Sequence, residues 1–183
     1  MIKTKSDLKR FLLEDKKALG KLKFKRPRIF RDEEWRFQIL LRKTEYHFNK
    51  NSLFKFFYLI RYRRLQVKYL TFIPLNTCDY GLSIAHIGGI RINNESKIGK
   101  YCRIHEGVTI GATNGDKKAP VIGDKVFIGS GAKIIGNIII NGGCCIGAGA
   151  VVVKDIMEIG TYAGVPVKKI SNKNSSYNLL IEN

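Results

Sequence analysis

Two segments of the chain carry the side chains best suited to chemistry. His86 lies among glycines and aliphatic residues in "GLSIAHIGGI" (81–90), and His105 is followed by Glu106 in "CRIHEGVTIG" (102–111). An imidazole with a pKa of about 6.5 accepts and releases a proton close to neutral pH, so such a histidine is either a general base or a packed core group. The choice depends on where each side chain points, and therefore on the elements that carry it.

A six-residue period dominates the chain from residue 92 onward. An amphipathic helix repeats about every 3.6 residues and a lone strand about every 2, so neither explains it. A chain wound into a triangular prism does, with one short strand per side and each aliphatic side chain pointing inward onto the one 18 residues later. The inward positions are Ile92, Ile98, Ile104 and Ile110, then Ile122, Ile128, Ile134, Ile140, Ile146 and Val152.

The period is interrupted once, at "GATNGDKKAP" (111–120). Ile110 and Ile122 are twelve residues apart, so one inward position is missing, at Asp116. The segment is rich in Gly, Asn, Asp and Lys, which predicts a loop extruded from one edge of the prism. Extruded loops often form ligand sites, although a plain surface excursion is an alternative.

The direction of His86 stays open at the level of sequence. It precedes Ile92 by six residues, which would turn the ring inward. However, Ile84 and Ile90 form a competing inward series, and the two registers collide between residues 90 and 92. The imidazole is thus either a core filler or an outward-facing group.

His105 is expected to point outward, one coil above His86. It directly follows the inward Ile104, and with Glu106 it either lines an acceptor pocket or decorates the surface. Cys102 and Cys144 fall on inward positions that take small residues, which argues against a role as nucleophiles.

Residues 1–70 lack the repeat and predict three helices. The first is expected to be capped near Ser6 and ended by Gly20, the second to cover 31–48 and the third 51–70. Their aromatic side chains are interpreted as packing surface against the prism or a neighbouring subunit, with a membrane-surface role for the third helix as the alternative. The prism covers 71–171, and 172–183 form a C-terminal tail.

The net charge of +18 is concentrated in the helical part. Residues 1–70 hold 21 Lys and Arg against 7 Asp and Glu, and the rest of the chain holds 12 against 8. The excess is either a solvated basic face or a surface for an anionic partner, namely a nucleotide-like cofactor, an anionic membrane or nucleic acid. No nucleic-acid recognition motif is present, so nucleic acid is the weakest of these.

Apolar runs and cysteines indicate the compartment. There is no apolar run near the ~20 residues of a membrane-spanning helix, and the first twenty residues do not read as a secretory signal. The four cysteines show no CxxC spacing. We therefore expect reduced thiols, no metal, and a cytoplasmic protein, either free or at the inner face of the membrane.

The repeat, followed by "IGAGAVVVKDI" (146–156) and "AGVPVKKI" (163–170), resembles the hexapeptide-repeat acyltransferases. "GLSIAHIGGIRIN" and "APVIGDKVFIGSGAKIIGNI" are similar to the serine acetyltransferase-like branch often found with bacterial surface-polysaccharide genes. The resemblance covers about residues 1–171 and is more specific for family than for substrate. It implies a mainly β fold, a left-handed parallel β-helix with an N-terminal α-helical segment. It also implies acetyl transfer from acetyl-CoA to a hydroxyl by a homotrimer whose sites lie between adjacent prisms.

The resemblance also implies roles for individual residues. His86 in "IAHIGG" matches the general base of the family, and the loop at 111–118 would flank the site. The acceptor would be bound by His105, Glu106 and Asp116. The later coils would bind the pantetheine arm and the CoA phosphates through Gly111, Gly129, Ser130, Ala132, Gly147, Ala148, Lys154, Lys168 and Lys169.

Two departures from that family pattern bear on the acceptor. Thr71 stands fifteen residues before His86, where the family places an aspartate that orients the base, and Ala85 replaces an acid directly before the histidine. The sequence therefore favours a sugar hydroxyl of a surface polysaccharide or its precursor, with L-serine as the alternative acceptor. A non-catalytic scaffold, or nucleic-acid binding with steep salt dependence, is the third interpretation.

Overall fold

The structure is a computed structural model that describes residues 1–113 and 118–180. The helices are α1 (Lys5–Ala18), α2 (Glu33–Asn49) and α3 (Lys55–Lys68), as the sequence predicted to within a few residues. The strands are β1 (Ser83–Ile84), β2 (Arg91–Ile92), β3 (Lys97–Ile98), β4 (Arg103–Ile104), β5 (Thr109–Gly111), β6 (Val121–Ile122), β7 (Phe127–Ile128), β8 (Lys133–Ile135), β9 (Ile139–Ile140), β10 (Cys145–Ile146), β11 (Val151–Val152), β12 (Thr161–Ala163) and β13 (Lys168–Ser171).

The start of α1 differs from the sequence expectation. The cap is Thr4 and not Ser6, because Thr4 and Asp7 form a reciprocal capping box. The Asp7 amide donates to Thr4 Oγ1 at 3.0 Å, and the Thr4 amide donates to Asp7 Oδ2 at 2.9 Å. Two otherwise unpaired amides are thereby satisfied, which a cap at Ser6 would not achieve.

The strands form three parallel sheets, which are the three faces of the prism. We call β1-β4-β7-β10-β12 the first face, β2-β5-β8-β11 the second and β3-β6-β9 the third; β13 closes the first face in antiparallel orientation. Ile92 pairs with Ile110, 18 residues on, but Ile110 pairs with Ile134, 24 residues on. The coil that carries the extruded loop is thus six residues longer, so the stacking interval of 18 holds only outside it.

The aliphatic ladder fills the interior of the prism, as predicted. All ten residues of the series are buried, none more than 7% exposed. Cys102 and Cys144 are fully buried, and burial raises the pKa of the Cys102 thiol to about 12, which keeps it protonated and unreactive. The small or branched residues four positions after the aliphatic ones are also buried: Ser96, Val108, Val126, Ala132, Ile138 and Ala150.

Helix α2 fixes the first strand of the prism. The buried Gln38 side chain donates through Nε2 to the Leu82 carbonyl at 2.7 Å and accepts through Oε1 from the Ile84 amide at 2.8 Å. These two bonds extend the backbone ladder of β1 onto a helix side chain. They set the register of the strand that ends two residues before His86.

The loop and the tail complete the described chain. Of the extruded loop, residues 114–117 lie outside the described residues, and with them the predicted acceptor residue Asp116. The tail carries a short 3-10 helix, Ser175–Asn178, whose first residue donates its amide to the Gly143 carbonyl at 2.9 Å. None of the helices in the described part of the chain combines the length and apolar character needed to cross a bilayer.

Candidate active site

The His86 ring points out of the prism. Ile84 and Ile90 are fully buried whereas His86 is exposed, so the chain follows the register of Ile84 up to residue 90 and changes to that of Ile92 only after it. Ile84 pairs with Ile104 on the next coil, which places the segments of His86 and His105 side by side. The imidazole is therefore available to a substrate.

A column of tight turns supports this part of the prism. The turns at Gly88–Gly89, Glu106–Gly107, Ser130–Gly131 and Ala148–Gly149 follow successive strands of the first face and stack on one another. Each of the last three turns donates an amide to the turn before it: Gly107 to the Gly88 carbonyl at 2.9 Å, Gly131 to the Glu106 carbonyl at 2.8 Å and Gly149 to the Ser130 carbonyl at 2.8 Å. We call this column, between the first and second faces, the histidine edge.

Gly107 shows why glycine stands at these turns. Its φ is +71°, a conformation that costs a side-chain-bearing residue about 1 kcal/mol or more. A Cβ atom there would also lie 3.4 Å from Gly131 Cα of the next turn. The close stacking of the turns brings Glu106 and Ser130 of neighbouring coils together.

His105 lies behind His86 and is partly buried. Its ring centroid is 5.8 Å from that of His86 and 5.0 Å from that of Phe127, both in edge-to-face geometry. Its Nδ1 is 3.8 Å from Glu106 Oε2, and its Nε2 is buried without a hydrogen-bond partner among the described residues. Burial lowers the pKa of His105, and the nearby Arg103 lowers it further, so the ring is neutral at pH 7.

Glu106 adds a negative charge to the pair of histidines. The Ser130 hydroxyl on the next coil lowers the pKa of this carboxyl, which is therefore ionised at neutral pH. One donor atom from each of His86, His105 and Glu106 lies within 4.8 Å of the other two. Such a spacing would also suit a metal ion, and the expectation of no metal stays a prediction.

The bonds by which Thr71 and Lys133 hold the histidine edge were not predicted from the sequence. Thr71 is buried and its Oγ1 accepts a hydrogen bond from the Gly88 amide at 3.1 Å, so it supports the turn after His86 in place of orienting the ring. Lys133 on the second face donates to the Gly107 carbonyl at 2.8 Å and to Thr109 Oγ1 at 3.0 Å. All three bonds join different coils, which is why sequence spacing did not reveal them.

Arg103 was likewise missed. It occupies an outward position on β4 and donates to Ser83 Oγ at 2.7 Å. Burial lowers the pKa of its guanidinium, which nevertheless stays charged at any physiological pH. A cation thus lies within electrostatic range of His105.

The predicted pantetheine residues divide between two places. Gly129, Ser130, Gly147 and Ala148 all lie on the histidine edge, one and two coils beyond Glu106. Ala132 does not belong with them, because its side chain is fully buried in the prism and cannot reach a surface groove.

Gly129 and Gly111 have different roles from the exposed members of the set. A Cβ atom on Gly129 would lie 2.6 Å from the Ala148 amide nitrogen, so this glycine permits close packing of two coils. Gly111 ends β5 at the far side of the second face, next to the extruded loop. It therefore stands at a different edge from the histidines.

The three lysines predicted to bind the donor, Lys154 along the pantetheine arm and Lys168 and Lys169 at the phosphates, are on the surface. Lys154 and Lys168 are exposed, the former just after β11 and the latter on β13. Lys169 is engaged with Glu158 at 3.0 Å, and this hydrogen bond raises its pKa. Lys154 and Lys168 are thus the better placed to bind an anion.

Together, the three parallel faces, the six-residue ladder and the preceding helices define a hexapeptide-repeat, left-handed β-helix protein. Residues 119–154 match the family described as bacterial transferase hexapeptide (six repeats). The chain is 39% identical over 92 residues to a serine acetyltransferase of Synechococcus elongatus, an alignment that covers 49% of this chain and 38% of that protein. It is 41% identical over 87 residues to the serine acetyltransferase of Staphylococcus xylosus, covering 46% and 40% respectively.

Solved structures extend the similarity to the helices. Serine acetyltransferase from Brucella abortus strain S19 superposes with a TM-score of 0.79 and 25% identity, over 94% of this chain and 72% of that one. The structure of that enzyme in complex with coenzyme A gives a TM-score of 0.77 at 25% identity, over 93% and 70%. The chain spans about two fifths of the length of the curated relatives it matches.

Proposed function

We propose that the protein is an acetyl-CoA-dependent O-acetyltransferase in which His86 is the general base. The observation that carries the proposal is the cluster of His86, His105 and Glu106 on the outside of a hexapeptide prism, with donor atoms within 4.8 Å of one another. The names of the similar proteins and the coenzyme A complex of one of them support the same chemistry.

The reaction needs a base because a neutral hydroxyl is a poor nucleophile. The His86 ring takes the proton of the acceptor hydroxyl while the hydroxyl oxygen attacks the thioester carbonyl carbon of acetyl-CoA. The tetrahedral intermediate collapses with cleavage of the C–S bond, and the proton on His86 passes to the departing sulfur. The products are an O-acetyl ester and CoA, and the base is regenerated.

The neighbours of His86 suit this role. When His86 becomes an imidazolium, a second imidazolium beside it would oppose the charge, but burial keeps His105 neutral. The Glu106 carboxylate stabilises the imidazolium from within 4.8 Å. We therefore assign Glu106 and His105 as positioning residues around the base.

The donor would lie along the histidine edge. In this proposal the pantetheine arm passes Ser130, Gly147 and Ala148, and the phosphates meet Lys154 and Lys168, both exposed cations. The extruded loop emerges at the other edge of the second face, so a neighbouring prism is needed to bring a loop to the histidines. A homotrimer with sites between the prisms supplies that arrangement.

L-serine is the acceptor that the comparisons favour over the surface sugar expected from the sequence. The charges beside His105 agree with this choice. The Arg103 guanidinium and the Glu106 carboxylate together complement a zwitterion, since one attracts a carboxylate and the other an ammonium group. Arg103→Gln is then expected to raise KM for L-serine and to leave KM for acetyl-CoA unchanged, with Lys97→Gln on the third face as the control.

A sugar hydroxyl is the second candidate, and Ala85 is the observation that favours it. The residue before His86 has no charge with which to bind an amino acid. An acceptor without charged groups would then fit, whether a surface glycan or its precursor.

The test is an assay of thiol release from acetyl-CoA with L-serine or with a panel of nucleotide-activated sugars. Turnover with L-serine is expected, and His86→Ala should lower kcat by at least about a hundredfold because general-base catalysis contributes that much. His47→Gln in α2, which packs on Tyr58, serves as the histidine control. Turnover with sugars alone would transfer the proposal to the second candidate, and full activity of His86→Ala would refute the mechanism.

A further inference from the structure

Helix α3 exposes an apolar line along its outer side. Phe56, Ile60 and Val67 are 65%, 56% and 53% exposed. Ile60 is four residues after Phe56, and Val67 is seven after Ile60, so the three side chains fall on one side of the helix. They form an apolar stripe about 17 Å long, at about 1.5 Å per residue over eleven residues, with Arg63 and Arg64 beside the interval between Ile60 and Val67.

Cations flank this stripe on both sides. At about 100° per residue, Arg63 and Arg64 lie to the left and right of the line through Ile60 and Val67, and both are exposed. Segment 50–70 contains no Asp or Glu, and it carries Lys50, Lys55, Arg61, Arg63, Arg64 and Lys68. The exposed side of α3 is therefore amphipathic, and all of its charged side chains are cations.

The opposite side of the helix is fixed to the body of the protein. The Tyr62 hydroxyl donates to the Ile73 carbonyl at 2.6 Å, and Gln66 Nε2 donates to the same carbonyl at 3.1 Å. Tyr62 also packs on Phe37 of α2 with ring centroids 5.3 Å apart. These contacts prevent α3 from rotating, so the apolar stripe faces away from the core.

We propose that the outer surface of α3 binds the surface of an anionic phospholipid bilayer. An amphipathic helix of this kind lies in the plane of the membrane, with its apolar side in the boundary between headgroups and acyl chains and its cations at the phosphates. Phe56, Ile60 and Val67 supply the apolar part, and Arg63 and Arg64 the cationic part. The proposal is independent of the acetyl-transfer reaction.

Charge decides against the other occupants of this surface. A second copy of the chain docked here by its own α3 would place arginines against arginines, with no acidic residue of the segment to compensate. A nucleic acid would satisfy the cations and leave the apolar stripe in water. An anionic lipid surface binds the arginines through its phosphates and covers the apolar stripe with its acyl chains.

The experiment is co-sedimentation of the full chain with vesicles of phosphatidylglycerol and phosphatidylcholine in equal parts, against vesicles of phosphatidylcholine alone. We expect binding to the anionic vesicles and at least about tenfold weaker partitioning to the neutral ones. Arg61→Gln/Arg63→Gln/Arg64→Gln should weaken binding to the anionic vesicles by at least about tenfold. Phe56→Ser/Ile60→Ser, which keeps every charge, should weaken it by a similar factor.

Two matched variants control for charge and for apolar area. Lys23→Gln/Lys25→Gln/Arg26→Gln removes the same charge from the exposed linker before α2, and Met157→Ser/Ile159→Ser removes exposed apolar residues from the last coil. Both should bind like the unaltered protein, and circular dichroism establishes that all variants fold. Any of three results would overturn the proposal: equal binding to both vesicle types, no effect of the apolar variant, or a lower mass in light scattering for Phe56→Ser/Ile60→Ser than for the unaltered protein, which would place α3 between copies of the chain.

Discussion

At the scale of single residues, Glu106 is the side chain whose charge the proposed reaction uses most directly. Glu106→Gln removes the carboxylate that stabilises the imidazolium of His86, and we expect kcat/KM to fall by about tenfold. Steady-state kinetics of both forms measure kcat/KM, with Glu95→Gln in an exposed turn as the control. An unchanged kcat/KM would show that Glu106 has no electrostatic effect on the transition state.

The neutral state of His105 leads to a prediction for stability. Burial lowers its pKa in the folded protein below the value of about 6.5 in the unfolded chain, so the unfolded state binds more protons under acidic conditions. His105 therefore costs stability as the pH falls below about 6.5. His105→Gln should reduce the loss of unfolding free energy between pH 7 and pH 5 by about 1 kcal/mol or less. Urea unfolding at the two pH values measures it, and an equal loss in both proteins would contradict the prediction.

At the scale of elements, the contact between α2 and the prism depends on a buried ion cluster. Arg42 is fully buried, 2.8 Å from Asp15 of α1 and 3.0 Å from Glu45, and it donates to the carbonyls of Cys78 and Asp79. Burial acts to lower the pKa of Arg42, but Asp15 and Glu45 raise it above its ordinary value. The Arg42 guanidinium thus connects α2 to α1 and to the first coil of the prism.

Removal of this cation should be costly. Arg42→Met leaves two buried carboxylates without a partner, and we expect the unfolding free energy to drop by about 3–5 kcal/mol. Arg36→Met is the matched control, because Arg36 bonds Glu33 with the same i,i+3 spacing and the same distance of 3.0 Å but is partly exposed. It should cost less than about 1 kcal/mol. Similar losses in chemical denaturation of the two variants would show that burial is not what makes the cluster important.

At the scale of the whole molecule, the prism is held together by its inward column. Ile134 on the second face is fully buried between Ile110 and Val152, whereas Ile139 on the third face is 47% exposed. Ile134→Ala should lower the unfolding free energy by about 2–5 kcal/mol, because the coils above and below cannot collapse into the cavity. Ile139→Ala should cost about 1 kcal/mol or less. Guanidinium unfolding of both variants compares them, and equal effects would contradict the assigned direction of the two side chains.

The sequence by itself determined the architecture of this protein. The six-residue period is repeated in every coil, so the sequence of each coil indicates which of its side chains face inward. The outward position of His105 followed from the inward position of Ile104 directly before it. The three helices followed from their composition to within four residues at each end. The first cap differs because Thr4 forms two bonds with Asp7 that Ser6 does not form. The interruption after Ile110 was predicted as an extruded loop, and the structure shows that the coil that carries it is six residues longer than the others.

Only the tertiary structure decided the direction of His86 and the residues that surround it. Two inward registers competed near residue 90, and the bonds of Gln38 to Leu82 and Ile84 accompany the register that turns the imidazole outward. Thr71, Lys133 and Ser130 act on the site across coils, at separations of 17 to 26 residues along the chain. Such contacts depend on how the turns of neighbouring coils stack on one another. The six-residue period of the sequence gives the spacing of the coils, but it does not say which side chains of neighbouring coils form hydrogen bonds.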